Sequence, residues 1–203
     1  MQAAELPEVF GRYVSAGGVL EFHAVETEDM SPFAQCAAIA EAFPGFDTGL
    51  LARLGGRRVT PEAFLGDWAE PGTGRLIQRG DWILSDGRKL TDPRVASLEG
   101  LKVESGACPI PEVGSGGQFA YAFSRPPYGM TASPAQVQAL FDGVWRFLSP
   151  PGVAAEITDW SSPDLPQVSD YFRQGAEWWG VFLFVVAVPA IRRMTLIAGS
   201  TTD

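Results

Sequence analysis

Two spacings of apolar residues alternate along this chain. The helical one is clearest in "SPFAQCAAIAEAF", where Phe33, Cys36, Ile39, Ala40 and Phe43 recur at three- to four-residue intervals behind Ser31 and Pro32. Serine at an N-cap followed by proline at the first helical position marks a helix start. "SPAQVQALFDGVWRFL" repeats the device with Ser133 and Pro134; Gln136 completes a capping box, and Val137, Leu140, Phe141, Val144 and Leu148 form one stripe. A shorter helix is predicted from Thr60 in "TPEAFLGDW", and another in "LPQVSDYFRQG" with Gly175 as its stop. The strand spacing shows in "LEFHA", in "FAYAF", where Phe119, Tyr121 and Phe123 alternate with alanine, and in "WILSDGRKL", a hairpin with a type I′ turn at Asp86-Gly87.

The most apolar stretch is "EWWGVFLFVVAVPAIRRM", residues 177–194, with no charge from Trp178 to Ile191. Its run of about 14 residues is short of the ~20 that a bilayer crossing needs, and it is broken by Gly180 and Pro189. "VFLFVVAV", rich in β-branched and aromatic residues, reads as a buried strand; "PAIRR" is the turn and "MTLIAG" the returning strand. The expected architecture is α+β, a central, mainly antiparallel sheet with several helices packed on it, in a single domain over residues 1–203. "LEFHA" and "FAYAF" each lead through a loop to a Ser-Pro helix, an echo about 100 residues apart, but side-chain identity is slight and coincidence is the reading taken.

Composition narrows the class. At 46% apolar and 19% charged residues the chain can bury a sizeable interior. The N-terminus carries acids and no basic region before an apolar stretch, unlike a signal peptide. Cys36 and Cys108 stand alone, outside any C-x-x-C, and suit a reducing compartment. A cytoplasmic protein is expected. The net charge of -9 is uneven: residues 1–50 hold eight acids and one base, a net of -7. Such a field repels nucleic acid and speeds encounter with basic partners. The three arginines of "RLGGRR" are too few for a nucleic-acid footprint.

Motifs for chemistry are missing. No nucleophile elbow, P-loop or dinucleotide fingerprint occurs. His23, the one histidine, lies inside a predicted strand and reads as structural; with two isolated cysteines it makes no zinc set. No cofactor, metal or catalytic residue is assigned. Acids do recur beside tryptophan, at Asp67-Trp68, Asp81-Trp82, Asp159-Trp160 and Glu177-Trp178. Two carboxylates flanking an aromatic platform would suit a small hydrolase acting on sugars. Acids before strands and tryptophan at core edges account for the same pattern without chemistry. The loop "SRPPYGM", with Arg125, Tyr128 and Met130, is a further candidate surface.

A compact acidic α+β chain of this size, poor in catalytic motifs and ending in the tryptophan-rich "EWWGVFLF…TLIAGSTTD", resembles the immunity proteins of bacterial polymorphic-toxin systems. The resemblance lies in general character and transfers no site residue by residue. It implies a protein partner, a toxin domain such as a basic nuclease, neutralised by occlusion of its active site. On that reading Glu26, Glu28 and Asp29 steer the encounter, while Tyr128 and Trp160 anchor it. The alternatives are the carboxylate-dependent hydrolase with a tryptophan-lined cleft and an interaction module without a toxin partner.

Overall fold

The computed structural model describes residues 1–173 and 175–201. Its centre is a six-stranded antiparallel sheet built from β1 (Gln2–Ala4), β2 (Glu21–Glu26), β3 (Arg57–Val59), β7 (Glu156–Asp159), β8 (Phe182–Val188) and β9 (Arg193–Gly199). The spatial order is β1-β2-β9-β8-β7-β3. The stretch "VFLFVVAV" is therefore a central strand, paired through seven residues with β9 and through four with β7. Every residue of β8 is buried, because both faces of the sheet are covered. Phe182, Phe184 and Val186 point into one apolar layer, and Leu183 and Val185 into the other. A strand covered on both sides has no polar face to alternate, which is why its sequence reads as an unbroken run.

One face carries α1 (Glu8–Ser15), α4 (Pro61–Leu65), α5 (Phe119–Ser124) and α6 (Pro134–Leu148). In α6 the expected capping box forms, and Val137, Leu140, Phe141, Val144 and Leu148 are buried as their spacing requires. The other face carries α2 (Pro32–Ala42), α3 (Thr48–Leu54) and α7 (Leu165–Val168), packed over Leu183, Val185, Met194 and Leu196. A three-stranded sheet in the order β5-β4-β6, formed by β4 (Asp81–Leu84), β5 (Lys89–Thr91) and β6 (Val103–Ala107), completes the α+β fold. Among the described residues no helix is long and apolar enough to cross a membrane.

Three local expectations need correction. "FAYAF" is the helix α5, not a strand: Phe119 to Phe123 are all buried, so alternation carried no information there. The strand–loop–helix echo falls with it. The β4–β5 hairpin exists, but its turn is not type I′. Only Gly87 has a positive φ (84°), and its N–H donates to the Leu84 carbonyl, so Ser85 and Asp86 are the central residues. Finally, "LPQVSDYF" does not run on as one helix. Ser169 is extended after the four residues of α7, and Gly175 opens a short 3-10 turn instead of closing a helix.

Candidate protein-binding face

The acidic loop after β2 is wired into the start of α2. Asp29 accepts a hydrogen bond from the Ser31 N–H (2.8 Å), and Ser31 in turn caps the helix by accepting from the Ala34 N–H. Hydrogen bonds from the Ser31 hydroxyl and from its N–H hold the Asp29 carboxyl below its ordinary range. The eleven residues of α2 include one charge, Glu41, so its sequence is apolar nearly all round. An apolar helix of this kind is usually enclosed. Here only one side is. Cys36, Ala38 and Ile39 enter the core, and Gln35 is buried with both ends of its amide used: it donates to the Met30 carbonyl and accepts from the Trp160 indole N–H (3.1 Å). Phe33, which the helical spacing assigned to the core stripe, is 83% exposed.

Helix α3 lies beside α2. Asp47 caps it by accepting from the Leu50 N–H, and Gly55, with φ of 74°, ends it. The chain then crosses Trp160 at Gly56, where a Cβ would stand 2.6 Å from the indole ring and 2.4 Å from the Thr158 methyl, so only glycine fits. Between the two helices runs an open groove of about 580 Å³. Phe33 and Ala37 form one wall, Gly49 and Ala52 the other, and Cys36 and Trp160 contribute to its lining; no charged residue lines it. Burial pushes the Cys36 thiol above its ordinary range, which keeps it protonated and unreactive at neutral pH.

The residues singled out in the sequence are only partly brought together. Asp29 is tied to the N-cap of α2, Glu28 precedes it in the loop, and Trp160 contributes to the groove lining. Trp160 is 2% exposed, so it does not project as an anchor. Glu28 is paired with Arg192 (2.8 Å), and Glu26 stands opposite Arg193 in the β2–β9 ladder. Tyr128 is exposed but belongs elsewhere: its loop is tied to the end of α1 by the Thr131 N–H donating to Ala16, beyond the Glu21 end of β2. Arg125 of the same loop lies over the Trp68 and Trp82 rings and donates to Gln78, a structural arrangement.

Three of the four acid–tryptophan pairs are part of the scaffold, and Trp178 of the fourth is exposed. Trp68, Trp82 and Trp160 are buried. The Asp159 carboxylate, 1% exposed, accepts from the Gly117 and Ser161 N–H groups and faces Arg57 at 3.5 Å, fixing the "GSGG" loop against β7. His23 packs edge-on against Phe43. Among the described residues no three of His, Cys, Asp or Glu converge as a metal ion would require. No protein-family profile, curated protein or solved structure matches the chain.

Proposed function

We propose that this chain is a binding protein of the immunity type, which docks on a basic toxin domain through the α2–α3 face and occludes its active site. The observation that carries the reading is Phe33, a large aromatic side chain left in solvent beside a neutral apolar groove. Exposed aromatics next to an apolar hollow are the usual centre of a protein interface, with charges at the rim. The rim here is acidic. Asp29 precedes α2, Glu41 lies in it and Asp47 caps α3, with Arg53 the one base among residues 29–53. A negative rim speeds encounter with a positive partner, and the apolar centre sets how long the complex lasts.

The test is capture of partners on the tagged chain from lysate of its native host at low salt, followed by a high-salt wash. A basic domain from the end of a large secreted protein, retained in a one-to-one complex and losing its activity there, is the expected result. Recovery of such a complex unaffected by Phe33→Ala would remove the α2–α3 face from the reading. No enrichment of a toxin domain, with its coding region expressed, would remove the immunity role itself.

A further inference from the structure

Building on that reading, we propose that the α2–α3 groove receives a single amphipathic α-helix of the partner, apolar toward the groove and carrying lysine or arginine along its flanks. The hydrogen-bonding poverty of the groove selects a helix. Its side-chain lining offers the Thr48 hydroxyl and the Cys36 thiol, and the Trp160 N–H is already spent on Gln35. An extended segment laid here would leave its amides unpaired, whereas a helix pairs its own. The dimensions agree. On the α3 side the helix runs from Thr48 to Leu54, which at 1.5 Å per helical residue is about 10 Å, or roughly two turns of an incoming helix. Alanine and glycine on both walls let its backbone come close, and Phe33 stands as a knob at one end.

The rim sets the sign of the flanking charges. Phe33, Ala37 and Glu41 follow one another at four-residue intervals, so Glu41 continues the stripe that forms the groove wall. Asp47 begins α3, and Asp29 precedes α2. Of the nearby bases, Arg192 is engaged by Glu28 and Arg57 by Asp159. That leaves Asp29, Glu41 and Asp47 against Arg53, a rim that favours a cationic helix.

Two synthetic helices with the same leucine-bearing face, one flanked by lysine and the other by glutamate, test this by fluorescence anisotropy against the intact chain. The lysine helix should bind, and the glutamate helix about tenfold more weakly or worse. Ala37→Gln and Ala52→Gln fill the groove with a long neutral side chain at exposed positions. Each should abolish binding while leaving the circular dichroism and thermal midpoint of the chain unchanged. Failure of the lysine helix to bind, or equal binding to both variants, overturns the proposal. A captured toxin domain that still binds Ala37→Gln would leave the immunity reading standing without the helix; helix binding with no toxin domain captured would do the reverse.

Discussion

Phe33→Ala separates a docking residue from a folding residue within one helix. The Phe33 side chain is 83% exposed, so most of it gains nothing from folding. Substitutions at such positions shift stability by no more than about 0.5 kcal/mol. Phe43, ten residues on and buried, is the internal control: its truncation should cost about 3 to 5 kcal/mol through lost transfer energy and the cavity left behind. On binding the ranking reverses. A phenylalanine presents on the order of 200 Å², of which about 165 Å² remains to be covered here; at ~25 cal/mol per Å² the ceiling is about 4 kcal/mol. Interface hot spots commonly reach at least ~2 kcal/mol, or roughly thirtyfold in Kd. Urea unfolding followed by circular dichroism measures the first quantity, and calorimetric titration of the captured partner the second. Phe33→Ala should therefore unfold at the wild-type midpoint and bind at least thirtyfold more weakly by that estimate. A lowered midpoint would mean that Phe33 packs against the fold after all. An unchanged Kd would mean that the partner docks elsewhere.

Other consequences concern the scaffold. Gly56→Ala forces a Cβ into the Trp160 ring and should destabilise by about 1 to 3 kcal/mol, whereas Gly11→Ala, in α1 with open space around the new methyl, should stabilise by up to ~1 kcal/mol; urea midpoints check both. Asp159→Ala leaves the Gly117 and Ser161 N–H groups without their acceptor, and hydrogen exchange at those amides should accelerate along with a stability loss of about 2 to 4 kcal/mol. Burial raises the phenol pKa values of Tyr13 and Tyr171, and that of Tyr121 to about 12. Groups whose folded pKa exceeds the unfolded value of about 10 contribute stability that is complete below that pH and lost above it. The phenolate absorbance of these three should thus rise together with the loss of far-ultraviolet circular dichroism, and a rise well before unfolding would contradict their burial.

The framework was legible where local signals are unambiguous. Ser31-Pro32 and Ser133-Pro134 cap helices as read, and the β8–β9 pair lies where the longest apolar run placed it. The errors share one cause. In α5 and α2 nearly every position is apolar, so no period can say which side faces the core. Phe119, Ala120, Tyr121, Ala122 and Phe123 are all enclosed, and alternation between large and small side chains imitated a strand. In α2 the same ambiguity hid the site: Phe33 fitted a helical stripe with Cys36 and Phe43, yet the fold buries Ala34, Gln35 and Ala38 and turns Phe33 outward. The available clue was Gln35, a polar residue in an otherwise apolar helix. Its burial required two partners, Met30 and Trp160, that lie far apart in sequence.

Charge shows the same limit and yields a sharper perturbation. The count of -7 over residues 1–50 singles out Glu26, Glu28 and Asp29 because they are close in sequence. The turn after β8 brings Arg192 onto Glu28, so one of those three acids is paired with a base supplied from the far end of the chain; Arg193, opposite Glu26 in the ladder, spends its guanidinium on the Phe147 carbonyl and ring. The residual field lies at Asp29, Glu41 and Asp47 along the α2–α3 face. Neutralising the first set with Glu26→Gln, Glu28→Gln and Asp29→Asn removes three negative charges but frees Arg192. Neutralising the second with Asp29→Asn, Glu41→Gln and Asp47→Asn removes the same charge, and asparagine still caps α3. Both triples remove the same amount of negative charge, so a partner steered only by the overall field would lose association rate equally in both. Stopped-flow association with the basic partner at low ionic strength should instead show the second triple slower by about three- to tenfold, with the difference shrinking as salt is raised toward a Debye length of ~8 Å. Equal rates for the two triples would sink the assignment of steering to this face, because the local rim, not the count, is what distinguishes them.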